Sequence, residues 1–255
     1  MTVSDHIDEL RRRLMRIAVL VAIFSIAAFV FKELLFNIVF APSHDDFILY
    51  RWIGSLVESI GVESMHPGNF EVQLINTELS SQFMTHISMS FYCGCIMASP
   101  YIVYQIFRFI SPALYEHERR YSTQITVAVY VLFIIGLLMC YYIIFPISFR
   151  FLGTYQVSEE VVNTIALSSY ISSFTLLSLM MGLTFEVPVL AFLLGKTGLI
   201  NSAMLRRYRK AAFIGVMVLS AVITPPDLFT LMLMSLPLYG LYELSIVILS
   251  RTAKQ

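Results

Sequence analysis

From Ile125 to Phe149 the chain carries no charged residue. A run of about 20 apolar residues matches the roughly 30 Å thickness of a bilayer's hydrocarbon core. Peptide groups held there have no water to bond, so the run must close its own hydrogen bonds as a helix. Ile125–Ser148 is therefore read as a membrane span, and similar runs occupy 14–36, 80–107, 165–194 and 228–250. A sixth, 211–224, is short. Its 14 residues between Lys210 and Pro225 cover about 21 Å at helical rise, so it must thin the bilayer, borrow neighbouring residues or hide behind other helices. Composition agrees: 58% of the 255 residues are hydrophobic and 13% charged, where a soluble domain carries about 25%. The expected fold class is an all-α membrane protein, one transmembrane domain over residues 1–255. A net charge of +0 argues against bulk attraction to nucleic acid.

Several features punctuate the spans. Pro100 predicts a kink in the second, Phe145-Pro146 an end to the third, and Pro225-Pro226-Asp227 a tight turn between the fifth and sixth. The N-terminal basic cluster, Arg11–Arg13 and Arg16, precedes an apolar stretch too long for a secretory leader, so an uncleaved first helix is expected. All of the 17 Lys and Arg except Lys32, Arg51 and Arg150 fall on one side of this arrangement. Basic residues mark the cytoplasmic side, which puts both termini in the cytoplasm, and six spans satisfy that parity. The large outer loop, 37–79, holds Leu49, Trp52, Ile53, Leu56, Val57 and Ile60 at helical spacing. They predict an amphipathic helix that lies on the outer surface or caps the bundle. Phe70, Val72 and Leu74 alternate, as in a short extended piece.

Few side chains can carry chemistry. His6 and Glu9 have no matching second pair for a metal. Cys93 and Cys95, two apart on a helix, do not share a face, and with Cys140 they read as packing thiols. The five His are scattered at 6, 44, 66, 86 and 117, and no HExxH or GxSxG sequence points to catalysis. No cofactor is implied. The acids are more informative. Glu9 and Arg13 make an i,i+4 pair on a helix start. Glu116 and Glu118 adjoin Arg119 and Arg120 in the loop 109–120, at what should be a membrane face. There they either neutralise the two arginines or grip a cationic guest, a guanidinium above all, since carboxylates bind it in bidentate fashion. Glu186 lies about 15 Å from the cytoplasmic end of its span, near the bilayer centre, where a carboxylate needs a partner, a proton or a wet groove. Pro188 predicts a helix break beside it. Glu243 is similar, about 12 Å from its cytoplasmic edge, with Tyr239 and Tyr242 within reach. Asp227 reads as a turn residue.

Five segments together resemble the TatC family, the multispanning receptor subunits of the twin-arginine protein translocase. They are His6-x-x-Glu-Leu-Arg11, Phe109-x-x-Pro-Ala-Leu-Tyr-x-x-Glu-Arg119, Phe145-Pro146, Gly182-x-x-Phe-Glu-x-Pro188, and Thr224-Pro-Pro-Asp227 followed by Pro237 and Tyr242-Glu243. Their order and spacing fit across nearly the whole chain, least in the outer loop. The resemblance implies a concave, glove-like bundle of six helices in a bacterial inner membrane. It implies a receptor for the Arg-Arg signal peptides of folded precursors, with Glu118 and Glu9 as the signal-binding acids. Glu186 and Glu243 would be an intramembrane polar site. Thr224, Pro225, Pro226 and Asp227 would form a turn where single-span subunits of the TatA and TatB type dock, along the fifth and sixth helices. Transport would draw on the proton-motive force, within a homo-oligomeric receptor complex.

Two features depart from that family's pattern. Thr230 and Leu231 stand where a Ser-Gln pair is common, and the outer loop is longer and more helical. The principal alternative is a proton-coupled small-solute transporter relaying protons through Glu186 and Glu243. It predicts inverted repeats or paired half-helices, which the sequence lacks.

Overall fold

The computed structural model describes residues 3–60, 73–110, 122–156, 158 and 163–252. Helices dominate in chain order: α1 Val3–Val30, α2 Lys32–Phe40, α3 Ile48–Ile60, α4 Ser81–Ile110, α5 Ser122–Met139, α6 Phe145–Thr154, α7 Leu167–Thr184, α8 Val187–Lys196, α9 Ser202–Arg207, α10 Arg209–Ile223 and α11 Leu228–Thr252. Two three-residue strands, β1 Gln73–Ile75 and β2 Thr164–Ala166, pair in parallel with Leu74 opposite Ile165. Of the alternating residues expected to be extended, Leu74 lies in β1, and Phe70 and Val72 fall outside the described residues.

Among the described residues, five helical segments are long and apolar enough to cross a membrane: Ile7–Val30, Ser81–Ile106, Ile125–Thr154, Leu167–Lys196 and Leu228–Arg251. The remaining expected span is α10, whose 15 residues reach only about 22 Å. Much of the exposed surface of these helices is apolar, as with Ile26 at 65% and Val222 at 76% exposure. Lipid rather than water makes that stable.

The chain divides into two compact units. The first takes residues 1–39 and 78–131 and is built on α1 against α4. Gly94 makes that packing close: a Cβ there would lie 2.7 Å from the Ser25 backbone nitrogen. Small residues at such crossings let membrane helices approach until their backbones touch. His86 stacks on Phe29, ring centroids 3.9 Å apart, with a ring nitrogen 3.1 Å from the Phe29 carbonyl. Pro100 lies inside α4 without ending it.

The second unit takes residues 40–77 and 132–255. Its core is aromatic: Phe145 meets Phe174 edge-on at 5.0 Å, and Phe149 meets Tyr170 at 4.9 Å. The third span does not stop at Pro146, contrary to expectation. The helix widens into a π turn over Cys140–Ile144, and α6 restarts with Pro146 in its first turn and runs to Thr154. In a first turn the missing proline N–H costs nothing, and a π turn is the usual way to reset helical register. Gly136 and Gly182 bring α5 and α7 together. A Cβ on Gly136 would meet the Met181 carbonyl oxygen at 2.7 Å. The outer-loop helix is present as α3. It is tied down by Tyr50, whose hydroxyl lies 3.0 Å from the Pro42 carbonyl and 2.9 Å from that of Pro146. Arg150 covers the Tyr50 ring at 4.9 Å. After α8 the chain reverses at Gly198, φ 76°, with Leu199 N–H bonded back to Leu194. Asn201 then caps α9 by accepting from Met204 N–H at 2.7 Å.

Candidate functional site

In the first unit, Glu9 accepts a hydrogen bond from Arg13 one turn along α1. The orientation, acid toward the N-terminus, is the favourable one. Arg13 also donates to the Gln105 carbonyl at 3.1 Å, which pins this end of α1 to the last turns of α4. Gln105 is itself buried and donates to the Tyr101 hydroxyl at 2.6 Å. The Arg13 side chain is 11% exposed and that of Glu9 30%, so the acid is the wetter partner. Just beyond α4 the chain enters the segment with Glu116, Glu118, Arg119 and Arg120, which lies outside the described residues. Arg11, Arg12 and Arg16 are exposed along the same first turns of α1.

In the second unit, the expected break falls at Phe185-Glu186, between α7 and α8, with Pro188 in the first turn of α8. Proline disfavours the helical conformation just before it and supplies no donor. The backbone closes the gap locally. Phe185 N–H bonds Met181, Glu186 N–H bonds Leu183 at 3.1 Å, and Val189 and Leu190 both bond the Glu186 carbonyl at 3.0 Å. The Thr184 hydroxyl lies 2.8 Å from the Met180 carbonyl and 3.1 Å from that of Met181. The Glu186 side chain is different. Both carboxylate oxygens are buried and have no hydrogen-bond partner among the described residues. Leaving a buried polar group unpaired costs roughly 1–3 kcal/mol, so the site gains from any donor that reaches it.

Glu243 is not left alone in this way. Arg209, at the start of α10, donates to its Oε2 at 2.6 Å, and the Tyr239 hydroxyl lies 3.2 Å from its Oε1. Tyr242, expected to share this acid, instead donates to the Leu205 carbonyl at 2.7 Å. The pair is part-exposed, 47% for Arg209 and 33% for Glu243, and the carboxylate raises the Arg209 pKa above its usual value. It joins α10 to α11 at the end where α9 meets α10. Sequence reasoning missed Arg209, which is 34 residues away and reads locally as a topogenic cation. At the opposite end of α10, Thr224 returns its N–H and hydroxyl to the Ser220 carbonyl, each at 2.9 Å. Asp227 caps α11, accepting from Thr230 N–H at 2.6 Å through Oδ1. Asp227 Oδ2 and the Thr230 hydroxyl are buried without partners among the described residues. Thr230 is thus a buried residue beneath the turn, and the Thr224–Asp227 turn is a hydrogen-bonded helix corner.

Apolar helices long enough to cross a membrane, one of them broken at a buried acid, define a polytopic α-helical membrane protein. Residues 5–237 match the family model of the Sec-independent protein translocase protein TatC, and the chain belongs to that family. It is 36% identical over 248 residues to a Sec-independent protein translocase protein TatC of Blattabacterium, covering 96% of this chain and 93% of the relative. It is 32% identical to the TatC protein of Escherichia coli over 241 residues, 94% of this chain and 85% of that one. A crystal structure of a twin-arginine translocase receptor, TatC, superposes with a TM-score of 0.75 at 32% identity, covering 98% of this chain and 100% of the other. The chain is therefore a multi-pass membrane protein of a protein-transport family, with relatives in bacteria.

Proposed function

We propose that this protein is the signal-peptide receptor of a twin-arginine translocase in a bacterial inner membrane, with both termini in the cytoplasm. Glu9 and Glu118 take the two arginines of an incoming signal. The signal's apolar segment then runs along the bilayer beside Glu186. Single-span subunits of the TatA and TatB type dock along α10 and α11 near the Thr224–Asp227 corner. Receptor units work as a homo-oligomer, and the proton-motive force drives transport.

The observation that carries this reading is the Glu9–Arg13–Gln105 linkage. It ties an acidic group to the last turns of α4, the helix that leads into the 109–120 loop. A guanidinium is already the partner of Glu9 within the chain, the chemistry an incoming arginine would present. Glu243, by contrast, is neutralised by Arg209, which works against a relay through Glu186 and Glu243.

The test is photocrosslinking of an Arg-Arg precursor to membranes bearing wild-type protein or Glu118→Ala. Losing one charge-assisted hydrogen bond costs about 1.5–3 kcal/mol, hence roughly ten- to a hundredfold in affinity. A Lys-Lys signal should weaken binding too, because ammonium cannot form the bidentate fork. Equal crosslinking by wild type and Glu118→Ala overturns the assignment.

A further inference from the structure

We infer that α3 is a membrane-interface helix whose outward flank, led by Trp52, is seated in the lipid headgroup and acyl boundary of the leaflet at its end of the molecule. The inference concerns the loop helix and does not rest on the signal-peptide reading.

The apolar run that begins at Ile125 reaches the far hydrocarbon boundary after about 20 residues, roughly 30 Å, near Ile144. Tyr142 and Ile143 are 42% and 40% exposed, so they belong to the lipid-facing surface just inside that boundary. Phe47 stacks on Tyr142, centroids 5.9 Å apart and planes 20° from parallel. Tyr142 lies about 12 Å deeper along the helix than Arg150. The entry to α3 therefore sits at membrane depth and is continuous with surface that already meets lipid. One turn on, the Tyr50 hydroxyl reaches the Pro146 carbonyl and the Tyr50 ring lies under Arg150, at the level where headgroups begin.

Tyr50, 3% exposed, turns α3 toward the body of its unit. Trp52 is two residues on, about 200° around the helix, and so points away. It is 69% exposed, with Ile48 at 46% and Ile53 at 40%. Leu49, Trp52 and Ile53 fall at i, i+3 and i+4, a stripe wider than the packing covers. Arg51, beside that stripe, is exposed and suits phosphate. An apolar flank led by tryptophan, with a neighbouring cation and at headgroup depth, is the pattern of a helix lying in an interface.

Trp52 is the chain's one tryptophan, so its own emission reports the outcome. The full chain is reconstituted, at high lipid excess, into phosphatidylcholine–phosphatidylglycerol vesicles. These contain phosphatidylcholine brominated either near the headgroup or near the acyl end. Trp52→Phe protein supplies the tyrosine background. The expected result is a blue-shifted emission, strong quenching by the shallow bromines, weaker quenching by the deep ones, and little by aqueous iodide. Strong iodide quenching with none from either lipid would mean that Trp52 stands in water, and the inference fails. Quenching by neither would mean a second copy or another part of the chain covers it, and the inference fails equally.

Discussion

Glu186 is the side chain whose surroundings ask most of it. The helix break at Phe185-Glu186 repairs its own backbone through Thr184, Leu183 and Glu186, so the carboxylate is not needed to hold the turn. Glu186→Gln should therefore leave thermal stability in detergent unchanged to within about 1 kcal/mol, since it keeps the side-chain shape and replaces one buried polar head with another. In the receptor reading the same change should slow transport of an Arg-Arg precursor by hindering deeper signal insertion. Wild-type transport rates in inverted vesicles would make the residue merely structural. Glu243 carries a different expectation from the same residue type, because its partner is built into the chain.

Helix packing in this molecule depends on where a backbone is approached. A Cβ at Gly94 would press on the Ser25 backbone, whereas one at Gly215 or Gly240 would meet nothing within 4 Å. Gly94→Ala gains helix propensity but forces α1 and α4 apart, and overpacking of this kind costs about 1–3 kcal/mol. Gly215→Ala meets no obstacle and should gain about 0.5–1 kcal/mol. The same substitution thus has opposite signs at two helical glycines. Thermal unfolding of the two variants in one detergent checks it, and a Gly94→Ala protein as stable as Gly215→Ala would contradict the close crossing. The π turn at Cys140–Ile144 belongs with these packing devices. The π turn ends just before Pro146, whose missing N–H leaves a carbonyl one turn back without its helical donor, and the apolar run from Ile125 does not reveal that the helix answers by widening rather than ending.

For the molecule as a whole, orientation is the property on which the receptor reading stands. With native Cys93, Cys95 and Cys140 replaced, a cysteine at position 118 should resist a membrane-impermeant maleimide in intact cells and react once the membrane is permeabilised. Labelling from outside would invert the topology and remove Glu118 from contact with incoming precursors.

The helical, membrane-spanning class of the chain, the amphipathic helix at Ile48–Ile60, the short α10 and the break near Pro188 were legible in the residues, whereas the end of the third span was not. Transfer of apolar groups out of water, helical periodicity and the missing proline donor act within a turn or two of chain, so neighbours suffice to read them. The motif set in its order was equally legible as TatC-like. What needed the folded chain were partnerships. Arg209 finds Glu243 across 34 residues and Tyr50 finds the Pro146 carbonyl across 96. Nothing local distinguishes those side chains from an ordinary membrane-edge cation or an interfacial tyrosine. Charge pairing and hydrogen bonding depend on separation in space, which several packings of the same helices would satisfy differently. Only the packing adopted decides which acid is neutralised and which is left waiting.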